Sequence, residues 1–126
     1  MKPPNILLVD DHALNAELAS FVLQRAGCRV RLAPDANEAL EALAAEVPDL
    51  VLMDIQLPGM DGLELTRRIK ADPVTRRLTV VALTAYAMKG DGERFKAAGC
   101  DGYLSKPIDV ATFASQVLAF LPRPGA

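Results

Sequence analysis

The sequence predicts an open parallel α/β sheet, doubly wound, built from five strand–helix units in one domain. Three observations carry that expectation. Short apolar runs recur along the 126 residues, namely Ile6-Leu7-Leu8-Val9, Val30-Arg31-Leu32-Ala33, Leu50-Val51-Leu52-Met53, Thr79-Val80-Val81-Ala82-Leu83 and Tyr103-Leu104-Ser105. All but the second read as strands buried on both faces. Segments with helical spacing lie between the runs, and such alternation calls for right-handed crossovers with helices on both faces of the sheet. Polar residues also stand just past the ends of four runs: Asp10 with Asp11, Asp54, Thr84 and Lys106.

The first strand feeds a helix in which Leu14, Leu18, Phe21, Val22 and Arg25 recur at helical spacing, with Gly27 as its stop. The second strand is followed by Asp35 and Glu38, a capping-box-like start to a helix carrying Ala39, Leu40 and Leu43. Pro48 closes that connection and the third strand follows. Gln56-Leu57-Pro58-Gly59-Met60-Asp61-Gly62 is turn chemistry, leading to a helix over residues 63–71 that Asp72-Pro73 ends. After the fourth strand a helix runs from about residue 89 to Gly99, and the fifth strand ends at Lys106. The last helix starts near Asp109 and places Val110, Phe113, Val117, Leu118 and Leu121 on the face that docks on the sheet. Pro122-Arg123-Pro124-Gly125 is a frayed tail, which sets residues 1–126 as one domain with an ordered core over about residues 5–121.

Composition narrows the function. Hydrophobic residues make up 51% and charged residues 24%, enough for a two-faced core. The net charge of −2 argues against a nucleic-acid binder, and the basic pairs Arg67-Arg68 and Arg76-Arg77 read as solvated surface charges. No run reaches the ~18 apolar residues of a membrane span, and Met1-Lys2-Pro3-Pro4 is no signal peptide, so a cytoplasmic, soluble protein is expected. Cys28 and Cys100 lack metal-ligand spacing and are expected to be reduced and partly buried. His12, the single histidine, reads as a solvent-facing loop residue.

Ligands of open parallel sheets collect outside the carboxyl ends of the strands, so the polar residues there are expected to form one pocket. Asp10, Asp11 and Asp54 gathered together would repel one another, and a bound divalent cation removes the conflict. Carboxylate oxygens favour a hard ion, and Mg²⁺ takes one or two carboxylates while keeping positions open for a phosphoryl oxygen. Lys106 and Thr84 suit the other oxygens of that group. Asp54, alone on the middle strand, is left as nucleophile, since carboxylates accept phosphoryl groups as acyl phosphates. Phosphoryl transfer needs positioning and charge neutralisation more than acid–base machinery. Taken singly, an aspartate after a strand is commonly a cap, a threonine a strand end and a lysine a surface charge. Their joint placement past four different runs is what points to a site.

These residues resemble the receiver domain of bacterial two-component response regulators over essentially the whole chain. The motifs are Leu8-Val9-Asp10-Asp11, Met53-Asp54-Ile55-Gln56-Leu57-Pro58-Gly59-Met60-Asp61-Gly62, Leu83-Thr84-Ala85 and Tyr103-Leu104-Ser105-Lys106-Pro107. The resemblance implies a flavodoxin-like (βα)5 sheet of order 2-1-3-4-5. It implies that Asp54 is the phosphoacceptor, that Asp10 and Asp11 hold Mg²⁺, and that Gln56 lends a backbone carbonyl to the ion. It further implies that Thr84 and Lys106 sense and bind the phosphoryl group, that Tyr103 is the aromatic of the switch, and that Lys106-Pro107 is a cis peptide. Gln56 and Tyr86, two residues past Asp54 and Thr84, line the entrance in this family and influence how long the phosphoryl group lasts. Leu57 replaces a common Met without chemical consequence. The wording also resembles single-domain regulators of the DivK type and receivers attached to hybrid histidine kinases.

The expected function is a switch that takes a phosphoryl group from a histidine kinase or histidine phosphotransfer protein and signals to a downstream protein. The fourth helix, fifth strand and fifth helix form the expected output surface, in a monomer or a phosphorylation-dependent dimer. Catalysis is expected only of its own phosphorylation and dephosphorylation. An aspartyl-nucleophile phosphatase would want a second acid near the nucleophile, and residue 56 is Gln. A flavodoxin-like cofactor binder would want Gly, Ser or Thr amides in its first loop, where Asp10-Asp11 would repel a phosphate. A module regulated only by association would have no use for a complete site. A receiver excised from a hybrid histidine kinase is the other alternative, against which Met1 and the short tail point to a complete chain.

Overall fold

The structure, a computed structural model, describes residues 3–55, 57, 61–84, 91–106 and 108–121. Strands β1 (Asn5–Val9), β2 (Arg29–Ala33), β3 (Leu50–Asp54), β4 (Thr79–Thr84) and β5 (Gly102–Ser105) form one parallel sheet of order β2-β1-β3-β4-β5. The expected order is therefore found. β1 and β3 pair in the register Ile6 to Leu50 through Val9 to Met53, and the chain reverses its direction of winding between these two strands. The crevice outside their carboxyl ends is the place where such folds put a ligand.

Alternation along the central strands divides the core in two. Leu7, Val9, Val51, Met53, Val80 and Ala82 face α2 (Ala36–Ala45), α3 (Gly62–Ala71) and α4 (Asp91–Ala98). Ile6, Leu8, Leu50, Leu52, Val81 and Leu83 face α1 (Ala13–Arg25) and α5 (Phe113–Leu118). Three strands are thus buried on both faces as expected, but β5 is not. It is an edge strand, and Tyr103 and Ser105 are exposed.

The helices start and stop on recognisable chemistry. Asp35 caps α2 by accepting from Glu38 N, and Asp61 caps α3 by accepting from Leu63 N and Glu64 N. Gly27 and Gly99 follow α1 and α4 at φ 96° and 107°, a backbone that glycine adopts without strain. The expected start of α4 near Lys89 lies outside the described residues.

Two helices differ from expectation. The face of α1 on the sheet is Ala16, Ala19, Ser20, Val22 and Leu23, while Leu14 is 82% exposed and Leu18 and Phe21 also point out. Small residues let the helix backbone approach the sheet, so the bulky stripe that dominates the periodicity lies on the opposite side. Arg25 belongs to that outer side, its guanidinium 5.7 Å from the Phe21 ring centre. α5 begins at Phe113 rather than near Asp109, because Asp109 folds a turn first, its side chain accepting from Ala111 N and its carbonyl from Phe113 N. Val110 is consequently exposed, while Phe113 and Val117 are buried and Leu118 and Leu121 pack beside them.

Candidate functional site

The site begins with the backbone. Asp10 N donates to Ala33 O and carries the ladder one residue beyond β1. Asp54 ends β3 opposite Leu83, and Thr84 ends β4 opposite Ser105. Lys106 N donates to Thr84 O at 2.8 Å, so the lysine leaves β5 beside the threonine. Four neighbouring strands therefore each deliver a candidate residue at the same end of the sheet.

The side chains of Asp10, Asp11, Asp54 and Lys106 come together. Those of Asp10 and Asp54 are only 2% and 4% exposed, and Lys106 Nζ lies 3.3 Å from an oxygen of each. Asp11 sits at the mouth, partly exposed. Thr84 is buried at the end of its strand. Burying charge is costly unless it is paired, and here one ammonium serves two buried carboxylates with a third at the rim. One carboxylate oxygen from each of Asp10, Asp11 and Asp54 and a His12 ring nitrogen all lie within 4.8 Å of one another. A set of oxygen donors carrying that excess of negative charge suits a divalent cation.

Tyr103 stands apart from this pocket, half-exposed on β5. Its ring meets Phe95 of α4 edge-on at 5.7 Å, and a Cβ at Gly92 would touch it at 3.4 Å. Gln56, Tyr86 and Pro107, and with it the Lys106-Pro107 peptide, lie outside the described residues.

Two residues were not singled out from the sequence as part of the site. His12 is exposed as expected, yet its Nδ1 lies 3.2 Å from Asp11, 3.4 Å from Asp10 and 3.9 Å from Asp54. Its place directly after the acidic pair was the available signal. Gly62 opens α3 with its N–H on Ile55 O, and a Cβ there would collide with the carbonyl of Asp54. A glycine immediately after a helix cap was the sign of that close approach.

The cysteines stay out of the chemistry. Both are buried and free, and burial pushes each thiol up from its ordinary range, outweighing for Cys100 a hydrogen bond with Thr66 that pulls the other way.

Residues 6–118 match the model of the response regulator receiver domain family. The chain belongs to that family. Its receiver fold is also 40% identical over 119 residues to the polar-differentiation response regulator DivK of Brucella anthropi, covering 94% of this chain and 97% of the relative. A putative response regulator from Chloroflexus aurantiacus superposes with a TM-score of 0.90 at 35% identity, over 97% of this chain and 100% of that one. The chemotaxis response regulator CheY4 of Vibrio cholerae gives 0.89 at 27% identity, over 94% and 99%. The receiver is thus a signalling domain of two-component systems, and no helix among its described residues is long and apolar enough to cross a membrane.

Proposed function

We propose that this receiver accepts a phosphoryl group on Asp54 from a phosphohistidine of a histidine kinase or histidine phosphotransfer protein. The observation that carries the proposal is Lys106 Nζ at 3.3 Å from both Asp54 and Asp10, inside a ring of carboxylates at the switch point of the sheet. An Asp54 oxygen attacks phosphorus, the new O–P bond forms as the N–P bond breaks, and the donor imidazole leaves with the bonding electrons. Lys106 neutralises charge on the equatorial oxygens, and the Thr84 hydroxyl donates to one of them. Asp10, Asp11 and Asp54 would hold Mg²⁺, with the Gln56 carbonyl as the further ligand that family membership implies. The ion supplies charge neutralisation for a transferring phosphoryl group.

The outer face of α1 suits the donor. Leu14, Leu18 and Phe21 form an exposed apolar row that starts three residues past Asp11, so a donor seated there brings its histidine to the pocket. The output runs the other way. Phosphorylation draws Thr84 and Lys106 to the new charge, which biases Tyr103 on β5 and so the surface formed by α4, β5 and α5 toward a downstream protein. In this reading the receiver works in the cytoplasm, as a monomer or a phosphorylation-dependent dimer, and catalyses only its own phosphorylation and dephosphorylation.

Intact mass after incubation with Mg²⁺ and acetyl phosphate tests the proposal. The expected result is one added phosphoryl group in the wild type, none in Asp54→Asn, and none when Mg²⁺ is chelated. An adduct that persists in Asp54→Asn, or no adduct from either acetyl phosphate or a phosphorylated histidine protein, would overturn it.

A further inference from the structure

His12 occupies a position whose geometry the phosphoryl chemistry does not use. Its backbone is committed to the start of α1: the N–H donates to Asp10 Oδ1 at 2.8 Å and the carbonyl accepts from Ala16 N at 2.9 Å. As the residue preceding the helix it could cap it, but its side chain makes no capping hydrogen bond. The imidazole turns toward the acids instead, with Nδ1 3.2 to 3.9 Å from oxygens of Asp11, Asp10 and Asp54. Metal–ligand bonds of about 2.0–2.2 Å bring donors around one ion to about 3–4 Å from each other. The four donor atoms here lie within 4.8 Å of one another, so a small contraction lets all four share an ion.

We propose that His12 is a metal ligand of this receiver, and that it makes the pocket a mixed nitrogen–oxygen site that grips ions such as Co²⁺ and Zn²⁺ through a bond Mg²⁺ does not use. The proposal rests on the acids being a cation site, as above. The chemistry follows from ligand preference. Imidazole suits the later first-row ions, whereas Mg²⁺ is satisfied by carboxylates, carbonyls and water. A receiver with only oxygen donors gains affinity across that series through carboxylates alone, and one with His12 gains an added increment. The competing account is a plain ion pair, in which a protonated His12 neutralises the carboxylates. The two differ in sign. A ligand helps nitrogen-preferring ions and leaves Mg²⁺ unaffected, while an imidazolium counter-ion opposes every divalent cation equally.

The experiment is calorimetric titration of the tag-free, full-length wild type and of His12→Ala, His12→Gln and Asp10→Asn with Mg²⁺ and with Co²⁺. Both His12 variants are expected to lose about tenfold or more in Co²⁺ affinity while Mg²⁺ affinity stays within about twofold. Because the chain has one histidine, its imidazole ¹⁵N signals are unambiguous, and Zn²⁺ is expected to shift Nδ1 far more than Mg²⁺ does. The cysteines do not confuse the readout, since both are buried and burial pushes each thiol up from its ordinary range. Unchanged Co²⁺ affinity in both His12 variants, or a parallel rise for both ions, would overturn the assignment of His12 alone. Absence of Mg²⁺ binding by the wild type, or full binding by Asp10→Asn, would instead overturn the cation site and the His12 assignment with it.

Discussion

The two ends of the sheet use acidic residues in opposite ways. At the amino end two acids are spent on the backbone: Asp49 accepts from Asn5 N at 2.7 Å where β1 begins, and Asp101 accepts from Val80 N at 2.8 Å while pairing with Lys70 at 3.0 Å. Lys70 in turn donates to Leu78 O. At the carboxyl end Asp10, Asp11 and Asp54 are aimed at one another, with Lys106 between two of them. The first arrangement ties strand starts together, whereas the second holds like charges in proximity at a cost the rest of the fold must cover. The acids at the amino end are distributed over donors, and those of the proposed phosphoryl site are concentrated.

Three substitutions test that contrast, beginning with the largest effect. Gly62→Ala forces a methyl group into the Asp54 carbonyl, so α3 or β3 has to move. Urea unfolding is expected to show a loss of about 3 kcal/mol, with slower acetyl-phosphate labelling of what remains folded. Wild-type values for both would mean that the carboxyl end is more pliant than its close packing implies. Asp101→Ala removes the acceptor for Val80 N and the partner of Lys70, and should cost about 1–2 kcal/mol in the same assay. Its labelling rate should match the wild type, and a large drop would show that the two ends are not separable. Asp54→Asn is the mirror case. It removes a crowded charge while Lys106 keeps Asp10, so without divalent cations the variant should be as stable as the wild type or more stable by about 1 kcal/mol. A clear loss of stability there would place Asp54 with the structural acids.

The same contrast explains what the sequence disclosed. The central strands and the residues that end them, Asp10, Asp54 and Thr84, were legible because β1, β3 and β4 are continuous apolar runs whose ends are chemically abrupt. The inward face of α1 was not, because Ala16, Ala19 and Ser20 are buried for being small, and apolar periodicity is weighted by size. The exposed side of β5 was hidden for a related reason: an edge strand and a central one can share the same few apolar residues, and only the pairing order separates them. Val110 belongs to the core only if the helix starts at Asp109, whereas the side chain and carbonyl of Asp109 form a turn there. The orientation of His12 depends on three carboxylates from two strand ends, of which one lies far along the chain.

The pairing of Lys106 with Asp10 spans 96 positions of sequence. Translation therefore delivers the acids first and their ammonium only after all five strands. A nascent chain that has released Asp10, Asp11 and Asp54 from the ribosome is still unable to assemble the pocket, and so is a product truncated before β5. In the proposed function, competence to receive a phosphoryl group therefore waits for β5 and the lysine that follows it, however early the acids are made.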